Sequence, residues 1–173
     1  MASLTVLKGA PALQIISHCL SDTGVQVVKI ADFGISKMLS GGAAAEDLLE
    51  TAGTPAFMCP EICAGEPYSG PAADVWALGA TAFMLGSAPT IYIMTRRVSD
   101  HRLRCGRPPF IADRVVALYR AILEDAVDFP VGGPGPGLRR LLMRMLEKRP
   151  ALRVALGTVL VFAASNLEAL LTT

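Results

Sequence analysis

The alternation of apolar and polar residues predicts a short β-hairpin near the start of the chain. β-Branched residues recur between Val25 and Ala31, and the apolar pair Cys19–Leu20 lies on the other side of a polar turn, Ser21–Gly24. Turn residues between two such runs are typical of a hairpin. We therefore expect strands at residues 19–20 and 25–31.

Helical periodicity dominates the second half of the chain. Apolar residues recur at i, i+3, i+4, i+7 and i+8 between Leu138 and Lys148, and Pro150 follows, which predicts an amphipathic helix that ends before the proline. Residues 113–124 predict a second amphipathic helix. Its expected buried residues are Val116, Leu118, Tyr119, Ile122 and Leu123.

Two further segments are more apolar than a surface helix. Residues 74–85 are apolar on nearly every side, which is typical of a helix in the middle of a core. Asp74 near its start would then need backbone donors or a cation, because burying an unpartnered carboxylate is costly. Val154–Ala164 is too short for a membrane span of about 20 residues, and we expect it to form a buried helix.

Composition narrows the classes of function. The 173 residues are 52% apolar and 18% charged, with a net charge of +1. These values suit one domain with a hydrophobic core, and they argue against a nucleic-acid or membrane partner. The N-terminus lacks the pattern of a secretory signal. The four cysteines indicate free thiols in a reducing compartment, so we expect a cytoplasmic protein.

The cysteines also raise the alternative of a zinc site. Cys59 and Cys63 could combine with His101 and Cys105. Their C-x3-C and H-x3-C spacings fit zinc sites only loosely, and both pairs lie in segments with another explanation. Zinc is therefore not expected.

Six short motifs follow one another between Val25 and Val159. In chain order they are KIADFG (29–34), GTPAFMCPE (53–61), DVWALG (74–79), GRPPF (106–110), LYRAI (118–122) and LLMRMLEKRPALR (141–153). In this order they resemble the C-terminal lobe of the eukaryotic serine/threonine protein kinase catalytic domain. The residues of these motifs are similar to those of calcium/calmodulin-dependent kinase kinases.

This resemblance implies a fold and a reaction. The fold is an incomplete α+β protein-kinase-like fold, with a mainly α-helical C-terminal lobe and a short N-terminal β-hairpin. The reaction of the family is ATP-dependent phosphorylation of protein serine and threonine hydroxyls, so a protein substrate or docking partner is expected.

The resemblance assigns cofactor binding to the turn after the hairpin. Asp32 would chelate the Mg²⁺ that bridges the ATP phosphates. Phe33 would pack below it, and Gly34 would permit the backbone turn. ATP and Mg²⁺ are therefore the cofactors of the complete family domain. The alternative for Asp32 is an ordinary N-cap or turn aspartate.

The resemblance also identifies an activation segment. Thr51 is a candidate phosphorylation switch for an upstream activating kinase, or else an ordinary loop threonine. Thr54 resembles the threonine that lies beside the substrate residue. Glu61 and Arg153 resemble an ion pair that ties this segment to the last helices; two unpaired surface charges are the alternative. Asp74 corresponds to an aspartate that caps the catalytic loop.

Several family motifs have no counterpart in these residues. Neither the catalytic loop H-R-D-x-K-x-x-N nor a G-x-G-x-x-G loop occurs before the hairpin, so no catalytic aspartate is identifiable. Arg149 stands where an aspartate is common in the family. We divide the chain into an atypical N-terminal segment (1–17), a partial kinase domain (18–160) with an insert at 87–105, and an atypical tail (161–173). We hypothesise that the ends and the insert arise from an imperfect gene model or a retained intron.

Three functions stay open at this point. The first is a partial serine/threonine kinase domain, expected to be inactive as this chain alone. The second is a catalytically dead, pseudokinase-like module that docks partners through its activation segment and the helix after Phe110. The third is an unrelated helical domain with chance matches.

Overall fold

A computed structural model shows short strands followed by a helical lobe. It describes residues 5–7, 14–18, 27–31, 36–38, 47–49, 53–86, 106–131 and 133–171. The strands are β1 (Thr5–Leu7), β2 (Gln14–His18), β3 (Val27–Ala31), β4 (Ser36–Met38), β5 (Asp47–Leu48) and β6 (Tyr68–Ser69). They pair antiparallel as β1–β4, β2–β3 and β5–β6.

The predicted strand at residues 25–31 is confirmed over Val27–Ala31, and the strand predicted at residues 19–20 lies outside the described residues. β3 lies within the predicted segment 25–31, but its partner is β2, with Gln14 opposite Ala31 and His18 opposite Val27. β2 supplies a five-residue ladder that includes two β-branched isoleucines, and side chains of this kind favour strands.

The described residues form five α-helices. They are α1 (Pro60–Cys63), α2 (Gly70–Gly86), α3 (Val115–Glu124), α4 (Pro136–Met145) and α5 (Leu156–Leu171), with 3-10 turns at Pro55–Phe57 and Pro150–Leu152. Proline occupies the first turn of α1 and of α4, where its fixed φ suits a helix start and no hydrogen bond is lost. The architecture is the mainly helical lobe with a short hairpin that the sequence predicts. None of the described helices is both long and apolar enough to cross a bilayer.

Helix α2 forms the centre of the lobe, as its all-round apolarity predicts. Trp76 and Phe83 are fully buried. The Trp76 ring stacks on Phe110 with centroids 6.0 Å apart, and Phe83 meets Phe129 at 5.2 Å. Aromatic pairs of this kind add stabilisation beyond the apolar area they bury, so α2 holds the loops before α3 and α4 in place.

Helix α4 packs on α2 with the face that its periodicity predicts. Leu141, Leu142, Met145 and Leu146 are buried, and Leu138 packs partly buried against the core. The two helices approach closely at Gly79, where a Cβ atom would lie 2.9 Å from Cβ of Met145. A residue without a side chain is therefore required at this crossing.

The predicted burial of two other helices is wrong in part. On α3, Leu118 and Ile122 are buried and Tyr119 is half-buried, but Val116 is 79% and Leu123 39% exposed. α3 therefore contributes only a narrow stripe of its apolar surface to the core.

The last helix departs further from the expected burial. Val154 and Val159 are buried, whereas Leu160 and Val161 are 61% and 66% exposed. Val159 packs with Val75, Leu141 and Met145. The described lobe thus covers one side of α5 and leaves an apolar side uncovered.

We predict that Gly79→Ala destabilises the lobe. The new methyl group would meet Met145 and Leu146 within 3.3 Å, and overpacking of this kind costs about 1–3 kcal/mol. Urea unfolding followed by the fluorescence of Trp76, the only tryptophan, measures the loss. Gly157→Ala is the matched control, because a Cβ at Gly157 in α5 meets nothing within 4 Å. An equal effect of both substitutions would contradict the close crossing.

Candidate functional site

Part of the predicted site lies outside the described residues. Asp32, Phe33 and Gly34 are not described, although β3 ends at Ala31 directly before them. Thr51 also lies outside the described residues. Their roles therefore stay predictions, and the site is built from the predicted residues that the structure does place: Thr54, Glu61, Asp74 and Arg153.

The segment from residue 53 to 63 presents one exposed threonine on a well-anchored base. Gly53 has a φ of +119°, which glycine adopts without strain. Thr54 is exposed, and its carbonyl accepts a hydrogen bond from the amide of Phe57 at 3.0 Å, which closes the 3-10 turn. Met58 and Cys59 then enter the core, with 3% and 1% of their surfaces exposed. The anchored base fixes where Thr54 lies on the surface.

The carboxylate of Glu61 on α1 forms a buried, two-bond ion pair with Arg153. Arg153 Nη1 donates to Oε1 at 2.7 Å and Nη2 donates to Oε2 at 2.9 Å, across 92 positions of sequence. The two side chains are 1% and 3% exposed. The predicted partners are therefore together in the structure, in the fork geometry that arginine and carboxylate favour.

Arg153 makes further contacts that the sequence does not reveal. Its guanidinium donates to the carbonyl oxygens of Ala72 at 2.9 Å, Glu147 at 2.9 Å and Lys148 at 3.3 Å. It also lies 5.1 Å from the centroid of the Trp76 ring. One arginine thus joins α1, the start of α2 and the turn after α4.

Asp74 lies half-buried on α2. It takes part in an interaction within the structure, as a carboxylate at this depth requires. Its correspondence to the aspartate that caps the family's catalytic loop stays a prediction.

Burial raises the pKa of both thiols beside the ion pair. Burial is the main cause for Cys59, and the charge of Glu61 adds to it. The same two causes raise the pKa of Cys63 from 9.0 to about 12. No three His, Cys, Asp or Glu side chains of the described part are placed to hold a metal ion, and His101 and Cys105 lie outside that part. Cys59 and Cys63 are thus neutral thiols at neutral pH.

Helix α3 also anchors the segment from residue 53 to 63, through a contact that the sequence does not predict. The Tyr119 hydroxyl donates to Sδ of Met58 at 3.4 Å. Tyr119 and Met58 both fall within recognised motifs, but nothing in either motif indicates that they touch.

Lys148 fixes the other end of α3. Its Nζ donates to the carbonyl oxygen of Ile122 at 2.6 Å and lies 4.8 Å from the centroid of the Phe110 ring. A cation at a helix C-terminus is favourable because the last carbonyls lack partners within the helix. Burial lowers the pKa of Lys148, and the charges of Asp125 and Glu124 oppose that shift.

We predict that Arg153→Met lowers the free energy of unfolding by about 3–5 kcal/mol or more, because it strands a buried carboxylate and three carbonyl groups. Glu61→Gln should lower it less, since the amide still accepts a hydrogen bond. Urea unfolding followed by circular dichroism measures both losses. Trp76 fluorescence is not used here, because the Trp76 ring touches Arg153 and its signal would change with the substitution itself. Arg149→Met is the matched control, because the ion pair of Arg149 with Glu147 at 3.3 Å is exposed. Its loss should lower the free energy of unfolding by less than about 1 kcal/mol. Equal losses in Arg149→Met and Arg153→Met would contradict the central role of Arg153.

We also predict that Cys63 resists alkylation in the folded protein. A pKa of about 12 instead of 9.0 reduces the reactive thiolate by about a thousandfold at pH 8. Iodoacetamide labelling rates, in a background with Cys19→Ser and Cys105→Ser, should be at least about a hundredfold slower in buffer than in urea. Labelling at the unfolded rate would show that the thiol is not perturbed.

The same shift makes stability depend on pH. Between pH 9 and about 12 the unfolded chain loses the Cys63 proton that the folded chain keeps. The free energy of unfolding should therefore fall as the pH rises through this window. Cys63→Ser should reduce that fall, and an unchanged pH dependence would contradict the raised pKa.

Comparison with known proteins places this lobe in a family. The family model described as "Protein kinase domain" matches residues 19–161. A calcium/calmodulin-dependent protein kinase kinase of Caenorhabditis elegans is 37% identical over 146 residues, which cover 81% of this chain and 23% of the relative. The carbon catabolite-derepressing protein kinase of Candida tropicalis is 32% identical over 134 residues, 77% of this chain and 18% of the relative.

A plant protein extends the comparison. CBL-interacting serine/threonine-protein kinase 21 of Arabidopsis thaliana is 31% identical over 135 residues, 78% of this chain and 27% of that protein. The matches therefore span between 18% and 27% of the length of these relatives. The family match covers most of the chain, and the chain belongs to the protein kinase domain family, with similarity to serine/threonine kinases that include a calcium/calmodulin-dependent kinase kinase.

Proposed function

We propose that this chain supplies the C-terminal lobe of a serine/threonine protein kinase domain and that its 173 residues do not phosphorylate proteins by themselves. The buried Glu61–Arg153 pair carries the first half of the proposal. It holds the segment that exposes Thr54 in a fixed place beside α2 and α3. A protein hydroxyl must be held in a defined position for phosphoryl transfer, and a fixed segment of this kind suits that task.

The second half of the proposal rests on the sequence. Protein kinases use ATP and Mg²⁺, and Asp32 is the residue that would hold Mg²⁺ here. No catalytic-loop motif and no glycine-rich loop occurs in the 173 residues. A single carboxylate holds Mg²⁺ poorly without substrate phosphates. We therefore propose that transfer requires residues beyond these 173, in a longer gene product that acts in the cytoplasm.

Regulation would follow from the same segment. Phosphorylation of Thr51 by an upstream kinase would add nearly two negative charges close to residue 53. Since residues 58–62 are anchored in the core, such a change would act on the exposed part around Thr54.

A second candidate is a pseudokinase-like binding module. The observation that favours it is the exposed apolar surface of α3, where Val115 and Val116 are 51% and 79% exposed beside Tyr119 and its contact with Met58. Apolar surface of this kind is typical of protein interaction sites.

Titration of a fluorescent ATP analogue into the chain, with and without Mg²⁺, tests the first candidate. We expect no saturable binding up to about millimolar nucleotide, since a lone carboxylate does not hold the ion. Mg²⁺-dependent binding that Asp32→Ala abolishes would overturn the proposed inactivity.

A chimera separates the two candidates. Residues 25–159 replace the corresponding part of the C. elegans relative downstream of its catalytic loop. A competent lobe should give a chimera that phosphorylates a protein substrate, and Asp32→Ala should abolish the activity. Asp128→Ala, at an exposed carboxylate, is the control and should leave the activity unchanged. A folded but inactive chimera would favour the binding module.

A further inference from the structure

The outward face of α4 is strongly basic. Arg140 and Arg144 are exposed on either side of Met143, which is itself 58% exposed. The opposite face of the helix is buried in the core. Leucine and methionine side chains form that buried face, at positions 141, 142 and 145. The basic face is therefore exposed and not part of the packing of the lobe.

A groove of about 350 Å³ opens beside this face. We call it the α4 groove; it lies between the connection after α3 and the end of α4. Its apolar lining includes Val127, Met143 and Leu146, and its charged lining consists of Glu147, Lys148 and Arg149. This volume falls near the lower end of about 300–1,000 Å³ for sites that hold ligands.

Arg149 is the cation of the α4 groove with donors left for an anion, because Glu147 in the same groove accepts only from Nε among the guanidinium nitrogens. Lys148 is already engaged with the carbonyl oxygen of Ile122, and Asp125 and Glu124 lie close enough to influence it. The Nε of Arg149 donates to Glu147 at 3.3 Å, yet the Arg149 side chain is 75% exposed.

We propose that the α4 groove binds an acidic segment of a protein partner, with an apolar side chain on Val127 and Met143 and a carboxylate on Arg149. An extended segment can place two neighbouring side chains on an apolar floor and on the cation beside it. Arginine binds carboxylates in a planar, two-bond geometry. The basic residues Arg140 and Arg144 on the same helix would steer an acidic partner toward the groove.

A membrane is a poorer fit to the same charges. Peripheral helices bind bilayers by inserting their apolar face among the lipids. The apolar face of α4 is buried against α2 and the core, so it is not available for insertion. The proposal is separate from the proposed function, because binding in the groove requires neither nucleotide nor phosphoryl transfer.

An array of labelled peptides tests the proposal on the whole chain. Each peptide carries one leucine, isoleucine, phenylalanine or methionine before two glutamates in a glycine–serine background, and its pair carries glutamines. Fluorescence polarisation should show at least about fivefold tighter binding of the best acidic peptide than of its neutral pair. Added salt should weaken that binding.

Variants locate the binding. Arg149→Glu should weaken binding about tenfold and should bind a peptide with lysines in place of the glutamates, since the charges are exchanged. Arg120→Glu, at an exposed arginine on α3, should change nothing. Met143→Gln should weaken binding, whereas Leu160→Gln, at an equally exposed apolar residue on α5, should not. Trp76 fluorescence confirms that each variant is folded.

Three results would overturn the proposal. The first is equal binding of acidic and neutral peptides, or binding that Arg149→Glu leaves unchanged. The second is adsorption to phosphatidylserine vesicles that depends on Arg149 without any preference among peptides, which would assign the face to a membrane. The third is self-association in sedimentation experiments that Arg149→Glu removes, which would assign the groove to a second copy of the chain.

Discussion

The buried contact between Arg153 and Glu61 is the interaction on which the described lobe depends. A guanidinium and a carboxylate can be desolvated together only if both are fully paired. This requires α1, the carbonyl of Ala72 on α2 and the turn after α4 to hold their positions at once. The contact therefore selects one arrangement of three separate chain segments. The exposed position of Thr54 follows from it, because the residues just after Thr54 lead directly into α1.

Helix α3 is held to the same assembly at two points. Tyr119 donates to Met58 in the segment that leads into α1, and Lys148 donates to the last turn of α3. The carbonyl of Lys148 in turn accepts a hydrogen bond from Arg153. A closed path of contacts thus runs from the segment to α3, to Lys148, to Arg153 and back to Glu61. A displacement of α3 would also displace residues 58–61, because the path of contacts begins at Met58 and ends at Glu61.

How much of this could be predicted from sequence depends on where each constraint is encoded. The buried face of α4 is encoded locally, since leucines at i, i+3 and i+4 leave one side for the core. The ion pair is not local: Glu61 and Arg153 were matched only because each lies in a motif of a known family. The acceptor of Lys148 and the remaining acceptors of Arg153 are backbone carbonyls, which every residue carries, so no side-chain pattern could indicate them. The strand β2 (Gln14–His18) could not be predicted from its own weak pattern, because its pairing with β3 decides where the strand lies.

Helices α2 and α5 show why apolarity alone does not determine burial. Both are apolar on nearly all sides, and α5 contains a single charged residue, Glu168. α2 is buried because aromatic rings, α4 and the segment before α1 surround it. The hydrophobic cluster that α5 shares with the described lobe contains two side chains of α5, the buried Val159 and the partly buried Phe162. A sequence pattern reports how much apolar surface a helix has to bury, whereas the neighbours determine how much can be buried. Since the two helices differ in their neighbours and not in composition, their burial could be distinguished only in the folded structure.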